Sequence, residues 1–185
     1  MEKAERVRRI VHLSYPVALL YYAFPPDTYI GVPREFFVLG FLVAFFVLEA
    51  IRLNTGINMP LIREYERNRI GAYAVGSLAI GLGLIFFPMP ATAVATCGMA
   101  WVDPLCRMTK GRNTYPVVPL TVYFVLAVLI FIVTDVQLPK AILFSSIGAV
   151  VAIAVEKPNI MEIDDDFVMV FVPLVVIGLL GYLLA

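Results

Sequence analysis

The chain has 185 residues, with fourteen Lys and Arg against fourteen Asp and Glu. It is 61% hydrophobic and only 15% charged, and its mean hydropathy is +0.90. A soluble domain is about 45–50% apolar and about 25% charged, so the composition argues against a water-soluble globule, a disordered chain and a nucleic-acid binder.

A membrane helix needs about 20 mostly apolar residues, fewer where it ends in a protein-lined cavity. Seven runs are candidates: 12–24, 36–53, 70–87, 91–102, 117–133, 141–155 and 167–185. The first and fourth are short. The first carries three Tyr and one Pro, stops at Pro25-Pro26 and lacks a small-residue cleavage site, so it does not read as a signal peptide. Pro88 and Pro90 predict a sharp turn between the third and fourth runs, and Pro139 does similar work before the sixth. The connections are short and no repeat or soluble domain interrupts them. The predicted fold is therefore all-α: one domain over residues 1–185, a polytopic integral membrane protein of about seven transmembrane helices in one bundle. Gly71, Ala74, Gly76, Ser77, Gly81 and Gly83 along the third run read as small residues that let helices approach closely in lipid. Cys97 and Cys106 fit no disulfide framework or zinc spacing, and Cys97 reads as a small buried hydrophobe.

If the N-terminus is cytoplasmic and all seven runs cross, twelve of the fourteen Lys and Arg fall on the cytoplasmic side. Only Arg34 and Lys140 remain outside. That split is the positive-inside bias, and it requires the short fourth run to cross. Glu49, Glu64, Glu66, Asp103, Glu156, Glu162 and Asp164 to Asp166 gather on or near the same face. Positive-inside alone does not require this, because acids contribute little to topology. Such a face is either a self-neutralising solvated surface or a site for a polyanion and a divalent metal.

Four stretches carry the candidate chemistry. Asp103 directly follows an apolar run, and Arg107, Lys110 and Arg112 follow within one short loop. An acid at membrane depth faces a cavity or a partner. Here it would hold Mg²⁺ while the cations hold phosphate oxygens; the plain alternative is a helix-end carboxylate paired with Arg107. Glu156 ends an apolar run, and Asp164, Asp165 and Asp166 precede the last one. Three adjacent acids repel, and a divalent cation would relieve them. The alternative is a soluble loop tip with Asp166 at a helix N-terminus. Arg63, Glu66, Arg67 and Ile70 would share one face if that stretch were helical, giving an anion-binding edge or a salt-bridge ladder. Glu49 and Arg52 read as an ion pair between helices. His12, where the basic N-terminal segment enters the membrane, reads as an interfacial hydrogen-bonding group, and Trp101 and the tyrosines as interface anchors.

Taken in order, these fragments resemble the membrane CTP-dependent polyprenol kinases, which include dolichol and phytol kinases. Glu5-Arg-Val-Arg-Arg-Ile-Val-His12 is similar to the family's opening, and Arg63-Glu-Tyr-Glu-Arg67 to its Arg-x-x-Glu element. Val102-Asp-Pro-Leu-Cys-Arg-Met-Thr-Lys-Gly111 resembles its Gly-Asp-x-x-Ala…Gly element. Glu156 with Asp164-Asp-Asp166 resembles its late Glu…Asp-Asp-Asn element. Val102 stands where the family has Gly, and Arg112-Asn-Thr-Tyr-Pro-Val-Val-Pro119 where it has Lys-Ser/Thr and then Glu-Gly-Ser. The resemblance implies phosphoryl transfer from CTP, with Mg²⁺, to a long-chain isoprenoid alcohol at the cytoplasmic face. Asp103 and Asp164 to Asp166 would hold the metal. Arg63, Arg67, Arg107, Lys110 and Arg112 would hold phosphate, and Glu156 or an Asp of the triplet would take the alcohol's proton. Two alternatives stay open: a CTP-dependent cytidylyltransferase making a CDP-lipid, and a transporter or scaffold without chemistry. Oligomeric state is not legible from the sequence.

Overall fold

In a computed structural model the described residues are 2–27, 31–57, 62, 64–156 and 165–184. Among them there is no strand, only an isolated bridge between Asp27 and Pro33. The elements are α1 (Glu2–Leu13), a 3-10 segment (Tyr15–Ala23), α2 (Glu35–Thr55), a 3-10 turn (Glu64–Glu66), α3 (Ala72–Phe86), α4 (Met89–Cys97), a π segment (Gly98–Val102), α5 (Asp103–Thr109), α6 (Val117–Val133), α7 (Leu138–Glu156) and α8 (Asp165–Leu183).

Local chemistry explains the boundaries. The long helix α2 has Glu35 in its first turn and Arg52 in its last, each complementing the helix dipole. It stops at Gly56, whose φ of 67° closes the left-handed cap that glycine adopts without strain. Pro88 precedes α4 and Pro90 occupies its first turn, where the missing N–H is not needed. Pro104 has no N–H to give to the turn behind it. The chain widens into the π segment just before Asp103 and resumes as α5 with Pro104 in the first turn. Residues 89–109 thus form one continuous helical rod, in which Asp103 is interior rather than terminal.

Three helices are long and apolar enough to cross a membrane: Glu35–Thr55, Leu138–Glu156 and Asp166–Leu183. Ala72–Phe86 and Val117–Val133 are apolar but shorter. The first run is a 3-10 segment with Pro16 in its first turn and no buried residue. α2 packs on α3, α3 on α8, α8 on α4 and α7, and α7 on α6.

The core mixes large side chains such as Tyr123, Phe131 and Met99 with many alanines, among them Ala74, Ala79, Ala95, Ala100, Ala127, Ala149 and Ala152, while Phe36, Phe41, Phe86, Val133 and Leu183 face outward. Large apolar side chains on the outside and small residues between helices suit a lipid surround, where close backbone approach drives helix association. Gly98 shows how close. A methyl group there would lie 2.2 Å from Cε2 of the buried Tyr123 ring. Thr92 Oγ1 donates to Gly83 O at 2.9 Å, locking α4 to α3.

A buried ion pair fixes the chain ahead of α3. Glu49 and Arg52 are 2% and 3% exposed, and two bonds of 2.8 and 2.7 Å join them. Arg52 also donates to Arg67 O at 3.1 Å and Glu66 O at 3.2 Å. Glu49 accepts from Tyr73 OH at 2.7 Å and from Gly71 N–H. The pair therefore lies within one helix, instead of between two as expected, and clamps the 66–71 segment onto α2.

Two outcomes follow. Gly98→Ala should destabilise by about 1–3 kcal/mol through overpacking, while Gly181→Ala, where a methyl group meets open space, should be near neutral. Arg52→Ala should cost about 3–5 kcal/mol by stranding the Glu49 carboxylate. Denaturant unfolding in detergent micelles measures both.

Candidate functional site

Four elements converge at one end of the bundle. α1 brings His12, α5 brings Asp103, α7 ends on Glu156, and α8 brings Asp166 as its second residue. The three acids are buried, at 2%, 7% and 6% exposure. His12 Nε2 lies 3.6 Å from Asp103 Oδ2, and Nδ1 lies 3.8 Å from Asp166 Oδ2. One ligand atom from each of the three residues falls within 4.8 Å of the others.

Cations close the site on the other side. Arg107, one turn after Asp103, places Nη2 2.9 Å from Asp103 Oδ2 and 3.6 Å from Asp166 Oδ1. Lys110 Nζ lies 3.2 Å from Glu156 Oε1, and Tyr115 OH donates to Glu156 Oε2 at 2.9 Å. Gly111 turns the loop back with a φ of 85°, a conformation glycine adopts without strain. Burial pushes the Asp103 carboxyl above the usual aspartate range; Arg107 and His12 oppose that shift and Glu156 adds to it. The Cys106 thiol is pushed up to about 12 by burial and then by Glu156 and Asp103, so it stays protonated and is no nucleophile.

The widened π turn decides how His12 is seated. His12 Nε2 lies 3.2 Å from Met99 O, and Trp101 Nε1 donates to Leu13 O at 3.2 Å. The end of α1 is thus docked on residues 98–102, and the ring sits between the two aspartates. π turns inside helices recur at functional sites.

The structure sorts the sequence-derived residues. Asp103, Asp166, Arg107, Lys110 and Glu156 come together. Arg63 and Asp164 lie outside the described residues, as does the side chain of Asp165, which opens α8. The helical face expected through Arg63, Glu66, Arg67 and Ile70 does not form. Glu64–Glu66 is a 3-10 turn, Glu66 is buried and Arg67 exposed. The Arg52 clamp holds the 66–71 backbone, leaving no helix to align those side chains. The guanidinium groups of Arg67 and Arg112, both exposed, form no ion pair among the described residues. His12 was read as an interfacial group and instead faces both aspartates. Its position within the basic opening segment was the available signal. Tyr115 was read as an anchor, and only the fold shows it on Glu156.

The donor set fits a divalent cation. Two carboxylates with open positions for water and phosphate are what Mg²⁺ commonly takes, and the imidazole nitrogen also suits Mn²⁺ or a softer metal. Arg107 partly neutralises the pair of acids. Adding Mg²⁺ or Mn²⁺ to the purified protein should raise its unfolding temperature, by the equivalent of about 2.7 kcal/mol at a hundredfold excess over Kd. Asp103→Asn and Asp166→Asn should each remove that rise, and Glu156→Gln should keep it. Thermal unfolding with and without a chelator is the measurement.

No protein-family model, curated protein or solved structure matches the chain.

Proposed function

We propose that the protein is a multi-pass membrane lipid kinase that moves a phosphoryl group from CTP to an isoprenoid alcohol at the cytoplasmic face. The observation that carries this reading is the convergence of Asp103, Asp166 and His12 with Arg107 at one buried end of an apolar bundle. Their sequence neighbourhoods are also those that resemble the polyprenol kinases. If the seven runs cross alternately with the N-terminus inside, residues 12, 103, 156 and 166 share the inner face, and the contacts among them support that topology.

Phosphoryl transfer is mainly positioning and charge neutralisation. Asp103 and Asp166 would hold Mg²⁺, which would supply positive charge against the nucleotide phosphates. Arg107 turns its exposed guanidinium to the same oxygens. The bond between the γ-phosphorus and the bridging oxygen breaks, CDP leaves, and the alcohol oxygen takes the phosphorus. His12 accepts the hydroxyl proton; its Nε2 lies 3.6 Å from an Asp103 oxygen and its Nδ1 3.8 Å from an Asp166 oxygen. Both oxygens of Glu156 already accept hydrogen bonds, from Lys110 and Tyr115. Its part is to hold Lys110 at the rim and keep Tyr115 in place.

The kinase is favoured over cytidylyl transfer because a lipid-phosphate acceptor adds anionic charge, and among the described residues Arg107 and Lys110 are the Lys and Arg side chains paired with the buried acids here. Purified protein in vesicles, given Mg²⁺, labelled CTP and geranylgeraniol, should make geranylgeranyl phosphate and CDP. Asp103→Asn should lower turnover at least about a hundredfold, with folding retained. Release of pyrophosphate with a labelled CDP-lipid would transfer the assignment to cytidylyl chemistry. No nucleotide-dependent product from any isoprenol or lipid phosphate would remove the enzyme reading.

A further inference from the structure

We propose that the apolar groove between the 3-10 segment and α2 holds the lipid tail, and that Arg34 closes its far end and sets the longest tail accepted. This rests on the reading of the His12–Asp103–Asp166 cluster as the place where a lipid alcohol reacts.

The groove follows from the packing. The 3-10 segment packs on α3 and α4, and α2 packs on the neighbouring side of α3. Between them remains a cavity of about 730 Å³, within the range of small-molecule sites. One face of α2 supplies Phe41, Leu42 and Phe45, and α3 supplies the floor at Gly81. A methyl group at Gly81 would lie 2.8 Å from Leu42 Cδ1, so the floor carries the smallest residue that α2 permits.

The two ends are polar and differ. At one end Ser14 and Tyr15 line the mouth. The Tyr15 ring meets His12 edge-on, with centroids 5.6 Å apart, so this end of the groove lies beside the charged cluster. At the other end Arg34 lines the wall. Its guanidinium lies 4.4 Å over the Tyr21 ring, and Nη1 donates to Phe24 O at 2.8 Å. Its Nε is 3.7 Å from Glu35, which also accepts from Tyr21 OH at 2.9 Å. These bonds tie the end of the 3-10 segment to the start of α2 and shut the groove there.

The occupant is a single-chain lipid with a small polar head. Its head reaches His12 at the mouth, its chain lies against the phenylalanines, and its tip stops below a fixed cation. The 3-10 segment rises about 2.0 Å per residue, so nine residues give a groove of about 18 Å. A chain much longer than that must fold back or leave sideways, and it loses the apolar contact that holds a shorter one.

The test measures binding of radiolabelled geranylgeraniol and of undecaprenol to the full chain in detergent micelles, without nucleotide or divalent cation. Its outcome is then separate from whether transfer occurs. The wild type should bind geranylgeraniol roughly tenfold or more tighter than undecaprenol. Arg34→Ala and, independently, Tyr21→Ala should bring the two alcohols to within about threefold, mainly by improving undecaprenol. Equal affinity for both alcohols in the wild type overturns the length limit. Cap variants that leave the ratio unchanged overturn the role of Arg34. Displacement of geranylgeraniol by an equal concentration of a diacyl phospholipid shows an ordinary lipid-facing surface and overturns the assignment.

Discussion

A carboxylate removed from water is costly unless donors or cations reach it. Asp103, Asp166 and Glu156 are all buried at one end of this bundle, and the local architecture answers that constraint. Arg107 stands one helical turn from Asp103 and reaches Asp166 as well. His12 is carried in from the far end of the sequence to lie between the two aspartates. Lys110 and Tyr115 are spent on Glu156. Asp103 and Asp166 share Arg107 and His12, whereas Glu156 is met by Lys110 and Tyr115.

The π segment links backbone chemistry to site chemistry. Pro104 cannot donate to the turn before it, and the chain widens there. The widened turn presents Met99 O to His12 and the Trp101 indole to Leu13. Met99 O thus accepts from Asp103 N–H and also meets the His12 ring, so the π segment joins Asp103 to the docked end of α1.

The rest of the bundle serves by close packing. Glycine and alanine in the core bring α3, α4, α7 and α8 near enough for short side chains to interlock, and large apolar side chains are left facing out. The Glu49–Arg52 clamp holds the chain that enters α3, and α3 in turn carries Gly76 against Asp166 and Gly81 against Leu42. Site and groove therefore share one supporting helix. A change in how α3 sits would be felt at both.

The amino-acid sequence on its own was enough to read an all-helical, apolar chain, because runs of hydrophobic residues bounded by Pro and Gly are local signals. The limits of α2, α3, α6, α7 and α8 lie within about three residues of those runs, in line with the usual boundary uncertainty. The same local reading picked out Asp103, Arg107 and Glu156, because a charge at the edge of an apolar run is visible without any fold. Tertiary structure decided the rest. Whether Asp166 or another member of the Asp triplet turns inward depends on the start of α8. Whether Arg67 points to a site depends on a clamp from a helix fifteen residues away. His12 meets Asp103 and Asp166 across most of the chain, and no periodicity encodes such a contact. Charges that look alike in a linear string are told apart only by which of them the packing removes from water.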